Sequence, residues 1–192
     1  YPYFKKGVIG IHWNSLIWRI KYNKLSHRKD LIYTVPSNWM LDRAKKSAIL
    51  RESTIHLLPN PIDTEIFKNY PVDEVHSIRD KLNIDNESFV IVFGAIAGKK
   101  NKLKGIDLLN MALELLQSML IETPASKVVL VDFGGVKAEG KLFGFRNISL
   151  GHIKDPIYLA KLYNAADSVV VPSTVEAFGQ VAAEASSCCT PV

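Results

Sequence analysis

Two hydrophobic rhythms alternate along this chain. One is the short, mostly apolar run bounded by Gly or Pro, which is how a strand buried on both faces reads. Residues 31–35, 54–58, 89–93, 127–133, 147–150 and 168–171 fit it. Gly94 closes the third run, Gly134-Gly135 the fourth and Pro172-Ser173 the last. The other rhythm is helical. It is clearest over 106–120, where Ile106, Leu109, Leu113, Leu116 and Leu120 share one face. The same spacing predicts helices over 38–49 (Ser37 as cap; Met40, Leu41, Ala44 and Ala48 on one face), 73–82 and 157–166 (Leu159, Leu162 and Tyr163 inward). A last helix opens near Phe178-Gly179 and runs through Glu184. Strand and helix alternate from Phe89 onward, so the fold class expected is α/β, a doubly wound parallel Rossmann-like sheet.

Pro59-Asn60-Pro61-Ile62-Asp63 interrupts both rhythms, because two prolines forbid continuation of a helix or a ladder. The domain boundary is placed there, giving residues 1–60 and 61–192. The chain opens on Tyr1 and stops at Pro191-Val192, where another strand would begin, so a piece of a longer protein is expected. Residues 8–25 carry Trp13, Leu16, Ile17, Trp18 and Ile20 among Arg19, Lys21 and Lys24. They read as a core helix missing its partners, ahead of a basic helix lying on a membrane surface.

Composition adds little beyond excluding extremes. Of 192 residues 47% are apolar and 22% charged, which is ordinary globular material. A net charge of +5 suits an anionic ligand, an anionic membrane or nucleic acid without choosing among them. The two cysteines, Cys188 and Cys189, are neighbours, which fits a reducing cytoplasm. The five histidines show no metal-ligand spacing, and no apolar run is long enough to span a bilayer.

Candidate chemistry gathers in two loops that leave the carboxyl ends of buried strands. In the later one, the helix amides from Phe178 to Gln180 sit at the positive end of a helix dipole and can hold a phosphate or an oxygen-rich group. Gly179 lets such a ligand approach the backbone. Glu176 and Glu184 flank this point and could bracket an elongated polar ligand, each accepting hydrogen bonds from hydroxyls. Taken singly they would be a helix-start acid and a solvated position; the spacing around Phe178-Gly179 favours the bracket. In the earlier loop Lys99, Lys100, Lys102 and Lys104 precede Gly105. Lys104 stands at a helix N-terminus, where the dipole disfavours a cation, and a bound anion would remove the conflict.

Pro172, Ser173, Glu176, Phe178, Gly179, Glu184, Ala185 and Thr190-Pro191-Val192, with Lys104-Gly105 upstream, resemble the retaining glycosyltransferases of family four, whose fold is the two-domain GT-B arrangement. Residues 1–60 would then be a remnant of the acceptor domain and 61–192 a nucleotide-sugar donor domain truncated at its C-terminus. The resemblance implies that Lys104 and Glu176 act in catalysis, Lys104 on the donor's diphosphate and Glu176 on its sugar. Glu184 would hold the ribose, and amides around Ala177, Phe178, Gly179 and Gln180 would bind sugar or phosphate. Gly94, Lys99, Lys100 and Gly105 complete the phosphate side, and the backbone at His152 and Ile153 would receive the nucleobase. Two positions depart from the pattern. Ala95 replaces an arginine, leaving a second cation to Lys99, Lys100 or Lys102, and Cys189 replaces a glycine, where a packing adjustment is expected.

The implied reaction is retaining transfer of a sugar from a nucleotide-diphosphate sugar to an acceptor hydroxyl, in polysaccharide or glycoconjugate synthesis. The acceptor would be a saccharide or lipid-linked. Without an Asp-x-Asp triplet the metal-dependent GT-A mode lacks its ligand pair, so no cofactor or metal is expected. This stretch alone is expected to be inactive. A non-catalytic nucleotide-sugar binding module and a basic nucleic-acid-binding domain are the alternatives. The second is disfavoured because no aromatics interleave with the lysines.

Overall fold

A computed structural model describes residues 13–94, 102–120 and 127–192. The chain divides into two compact units, residues 1–60 and 61–192.

The first unit holds helix α1 (Trp13–Leu25), strand β1 (Ile32–Val35), helix α2 (Asn38–Lys45) and strand β2 (Thr54–Leu57), with β1 and β2 parallel. The Ser37 side chain accepts the Met40 amide at 3.2 Å and so caps α2. The helix stops at Lys45, short of the 38–49 that its periodicity predicts. Ser47 explains the early stop: its hydroxyl accepts the Ile49 amide at 3.2 Å, a local turn that competes with helix propagation. No residue of α1 is buried, and Trp13, Leu16, Ile17, Trp18 and Ile20 are all exposed. Trp18 stacks on Tyr22 one turn later, with ring centroids 5.1 Å apart. Residues 8–12 of the predicted helix lie outside the described residues.

The second unit runs α3 (Val72–Lys81), β3 (Phe89–Gly94), a 3-10 turn (Lys102–Lys104), α4 (Ile106–Met119), β4 (Val128–Phe133), β5 (Ala138–Leu142), β6 (Phe145–Ser149), α5 (Pro156–Ala165), β7 (Ser168–Val170) and α6 (Gln180–Ser187). The strands form one sheet in the order β5-β6-β4-β3-β7. All neighbours are parallel except β5 and β6. Successive side chains of a strand face opposite sides. Val90, Val92, Val129 and Val131 accordingly pack on one side with Leu162 and Tyr163 of α5 and Ala185 of α6. Ile91, Phe93 and Leu130 pack on the other with Leu109 and Leu113 of α4. Helices cover both faces, so the sheet is doubly wound, as the alternation of elements predicts.

The hairpin of β5 and β6 is the main departure. The apolar pattern places a strand at 147–150, whereas β6 begins at Phe145 and has an antiparallel partner in Ala138–Leu142. That partner is exposed along most of its length and shows no inward face to read. The connecting residues Phe143 and Gly144 both have positive φ, 48° and 82°. Two such residues make a tight hairpin turn, for which Asn-Gly or Asp-Gly is the usual signature and Phe-Gly is not.

A buried guanidinium fastens the helices to the sheet. Arg79 of α3, 9% exposed, donates Nε to the Ala165 carbonyl at 3.0 Å and Nη1 to the carbonyls of Asn86 and Ser88 at 3.1 and 3.0 Å. Its Nη2 reaches Asp167 Oδ2 at 3.0 Å, and the same oxygen accepts the Val90 amide at 2.7 Å. Asp167 ends α5 as a turn residue would, and it also joins that end to the start of β3. Cys189 lies exposed just beyond α6 with φ of 61°. The constraint at this departure is therefore one of backbone conformation, where a packing adjustment was expected.

Arg79→Ala strips partners from a half-buried carboxylate and three carbonyls, and should cost about 1–3 kcal/mol in a urea unfolding curve. Asp167→Asn, which keeps an acceptor for the Val90 amide, should cost less. Cys189→Gly removes the left-handed penalty on a side chain and should raise stability by up to about 1 kcal/mol in the same measurement.

Candidate active site

The sheet reverses direction beside β3. From β3 the chain builds outward through β4 and β6, then returns to lay β7 on the other side of β3. The crevice at the carboxyl ends of the two strands flanking such a switch is where open α/β sheets take ligands. Here it lies between the loops that follow β3 and β7.

Among the described residues, three contacts join those loops. The Thr174 amide donates to the Leu103 carbonyl at 2.9 Å. Lys104 Nζ lies 2.7 Å from Glu176 Oε1. Gly105, the residue before α4, has φ of 65° and faces Pro172 so closely that a Cβ there would fall 1.8 Å from the Pro172 carbonyl oxygen. Both the dihedral and the approach exclude any other residue.

The loops enclose a cleft of about 50 Å³ lined by Gly94, Lys104, Pro172, Ser173, Glu176 and Val181 among others. Complete ligand sites run to about 300–1,000 Å³. This cleft is therefore a corner that fits a phosphate or a few hydroxyls. The Lys104 ammonium, helped by a Ser173 hydrogen bond and opposed by burial, holds the Glu176 carboxyl below its ordinary range. Glu176 is thus ionised at neutral pH. Both side chains remain a third or more exposed, 42% for Lys104 and 33% for Glu176. Such a pair contributes only about 0–1 kcal/mol to folding, so a polyanionic ligand can displace it at little cost. The conflict of Lys104 with the α4 dipole is relieved here by Glu176, in the place where a bound anion was expected.

On the other side, Gly179 begins α6 with φ of 86° and supplies no side-chain cap. A Cβ at Gly179 would meet nothing nearer than Ala182 Cβ at 3.9 Å, so the backbone there is open to approach. Glu184, one turn into α6 and half-buried, accepts the Gln180 side-chain amide at 3.1 Å and the Tyr163 hydroxyl at 3.3 Å.

Of the residues singled out from sequence, Gly94, Lys104 and Glu176 meet in one cleft, and Gly105 lies against the carbonyl of Pro172, which lines it. Gln180 and Glu184 pair with each other on α6. Ala177 is exposed and Phe178 half-buried. His152 is exposed and Ile153 packs against the core, in a loop that the Gly134 amide ties to the Gly151 carbonyl at 2.7 Å. Lys99 and Lys100 lie outside the described residues. Sequence gave no sign of the Tyr163–Glu184 contact or of the Leu103–Thr174 bond. Their partners are 21 and 71 residues apart, and neither pair forms a spacing pattern. Among the described residues no group of three or more His, Cys, Asp or Glu could hold a metal ion, and no helix is long and apolar enough to cross a membrane.

A family model described as glycosyl transferases group 1 matches residues 74–192, which include both loops. The chain belongs to that family. Among the relatives of this group 1 chain is D-inositol 3-phosphate glycosyltransferase of Segniliparus rotundus, 34% identical over 72% of the chain and 31% of the relative. Alpha-galactosylglucosyldiacylglycerol synthase of Streptococcus pneumoniae is 26% identical over 100% of the chain and 48% of the relative. The group 1 chain thus spans between 31% and 48% of the length of these relatives. Sucrose-phosphate synthase of Thermosynechococcus elongatus superposes with a TM-score of 0.69 at 23% identity, over 96% of the chain and 45% of that structure. Anabaena HepE in complex with UDP-glucose does so with 0.64 at 21%, over 94% and 49%. At these identities the structural likeness is one of fold, and the fold is that of GT-B glycosyltransferases.

The lowered Glu176 carboxyl fixes the sign of a pH effect. Its pKa is lower folded than unfolded, so the pair's contribution is whole above the ordinary carboxylate range and is lost as pH falls through the lowered folded value. Wild type should therefore exceed Glu176→Gln by less than about 1 kcal/mol at pH 7, and the gap should close in acid, read by urea unfolding at a series of pH values.

Proposed function

We propose that this protein transfers a sugar, with retention of configuration, from a nucleotide-diphosphate sugar to an acceptor hydroxyl in polysaccharide or glycoconjugate synthesis. The observation that carries the reading is the Lys104–Glu176 contact in the crevice between the loops after β3 and β7. It sets one cation and one carboxylate side by side at the place where this fold takes ligands. Departure of the sugar leaves negative charge on the diphosphate and makes the anomeric carbon oxocarbenium-like. Lys104 and the α6 amides near Gly179 would stabilise the leaving group as that charge grows. Glu176 would orient the sugar hydroxyls, and Glu184 the ribose. The names of the relatives, a D-inositol 3-phosphate glycosyltransferase and a synthase of a glycosylated diacylglycerol, support a sugar transfer. The UDP-glucose bound to Anabaena HepE supports the donor class.

Residues 1–60 are assigned to the acceptor domain and 61–192 to the donor domain, with a saccharide or lipid-linked acceptor and no cofactor.

Calorimetric titration of the intact protein with UDP, GDP and ADP should show binding of at least one. Lys104→Ala, by removing a charge-assisted contact to phosphate, should weaken it roughly tenfold or more. NMR of the product should show the donor's anomeric configuration. Binding without turnover in the intact protein would leave a binding module, and no binding would end the reading.

A further inference from the structure

Strand β5 (Ala138–Leu142) ends the five-stranded sheet. β6 pairs with it on one side, and among the described residues no strand pairs with it on the other. The hairpin fixes which backbone groups that open side presents. Phe143-Gly144 is a two-residue turn, so Leu142 and Phe145 form the hydrogen-bonded pair that closes it. Hydrogen-bonded and non-hydrogen-bonded pairs alternate along an antiparallel ladder. Ala138 and Gly140 therefore bond inward to β6, and the N–H and C=O groups of Glu139 and Lys141 point out of the sheet.

Such an edge is a template for a further strand, and charged side chains are the usual defence. The charges here stand symmetrically and differ in sign. Glu139 and Lys141 lie one residue either side of Gly140 and share one face of the strand. A second copy laid antiparallel along this edge must set outward groups against outward groups. Centring that pairing on Glu139 would oppose Glu to Glu, and centring it on Lys141 would oppose Lys to Lys, both destabilising. Centring it on Gly140 sets Glu139 opposite Lys141 of the second copy, and Lys141 opposite its Glu139. The two glycines then meet as a non-hydrogen-bonded pair, where Cα atoms approach to about 4.5 Å. Nothing lies within 4 Å of the place a Cβ on Gly140 would take. On the other face, Ala138 meets Leu142 of the second copy. Glu139 takes both Arg146 donors on Oε1, at 3.0 and 2.8 Å, which leaves Oε2 for a lysine. Lys141 is exposed and has no ion pair among the described residues.

We propose that the open edge of β5 is a self-association surface, on which two copies of this chain pair antiparallel about a two-fold axis through Gly140 and continue one sheet into the other. The contact is isologous, so each Glu139–Lys141 pair occurs twice. Stable interfaces bury about 1,200–2,000 Å². A five-residue edge covers less, so the dimer is reversible and depends on concentration.

Sedimentation of the intact protein over a concentration series reaching the millimolar range should show a monomer–dimer equilibrium. Glu139→Lys leaves two lysines on the edge and Lys141→Glu leaves two glutamates. Each should weaken self-association roughly tenfold or more. Mixed in equal amounts, the two variants should dimerise with one another, and the double exchange Glu139→Lys with Lys141→Glu should dimerise as wild type does. Lys141→Pro deletes an outward N–H without touching the ladder to β6 and should also prevent the dimer. It decides the matter if either charge variant fails to fold. A wild type that stays monomeric throughout would overturn the proposal. So would a dimer that survives in the single variants, or two variants that fail to rescue each other.

Discussion

The site depends on one close approach: the backbone before α4 lies against the carbonyl of Pro172, at a distance that only a residue without Cβ allows. From that contact follow the hydrogen bond from Thr174 to Leu103 and the meeting of Lys104 with Glu176. The ion pair itself contributes little to folding because both partners face solvent. The loops are held by backbone packing and a backbone hydrogen bond. The charges are therefore free to serve a ligand.

At the other end of the strands the second unit is fastened by a buried guanidinium. Arg79 makes four hydrogen bonds, three to carbonyls and one to Asp167. They join α3, the end of α5 and the start of β3 at the sheet's amino edge, the end opposite the loops of the site. Tyr163 is buried in the core on one face of the sheet, and its hydroxyl reaches Glu184. The exposed Lys104–Glu176 pair can be exchanged for a ligand, whereas the buried Arg79 network cannot be broken without a large loss.

Family membership fits this arrangement without supplying it. The matched region contains both loops, and the fold likeness to sucrose-phosphate synthase and to HepE extends over most of the chain. What the geometry adds is local: an ionised Glu176 paired with Lys104, an open backbone at Gly179, and a Glu184 hydrogen-bonded by Tyr163 and Gln180.

Much of the fold was legible from local pattern. The apolar runs at 89–93 and 127–133, the helical stripe of 106–120 and the cap at Ser37 are encoded within a few residues of where they act. Lys104, Glu176 and Glu184 could likewise be picked out, because their residue types stand against the rule for their positions or repeat at a telling spacing. The β5 strand, the Phe143-Gly144 turn and the left-handed Cys189 were not legible. Their conformations are imposed by neighbours, against the preferences of the residues themselves. The sequence by itself determined the element types, the doubly wound class and the list of candidate side chains. Tertiary structure decided which of those side chains meet, since the strand order sets β7 beside β3 and brings loops 72 residues apart into contact. Strand order is a property of long-range packing, and no local spacing along the chain records it.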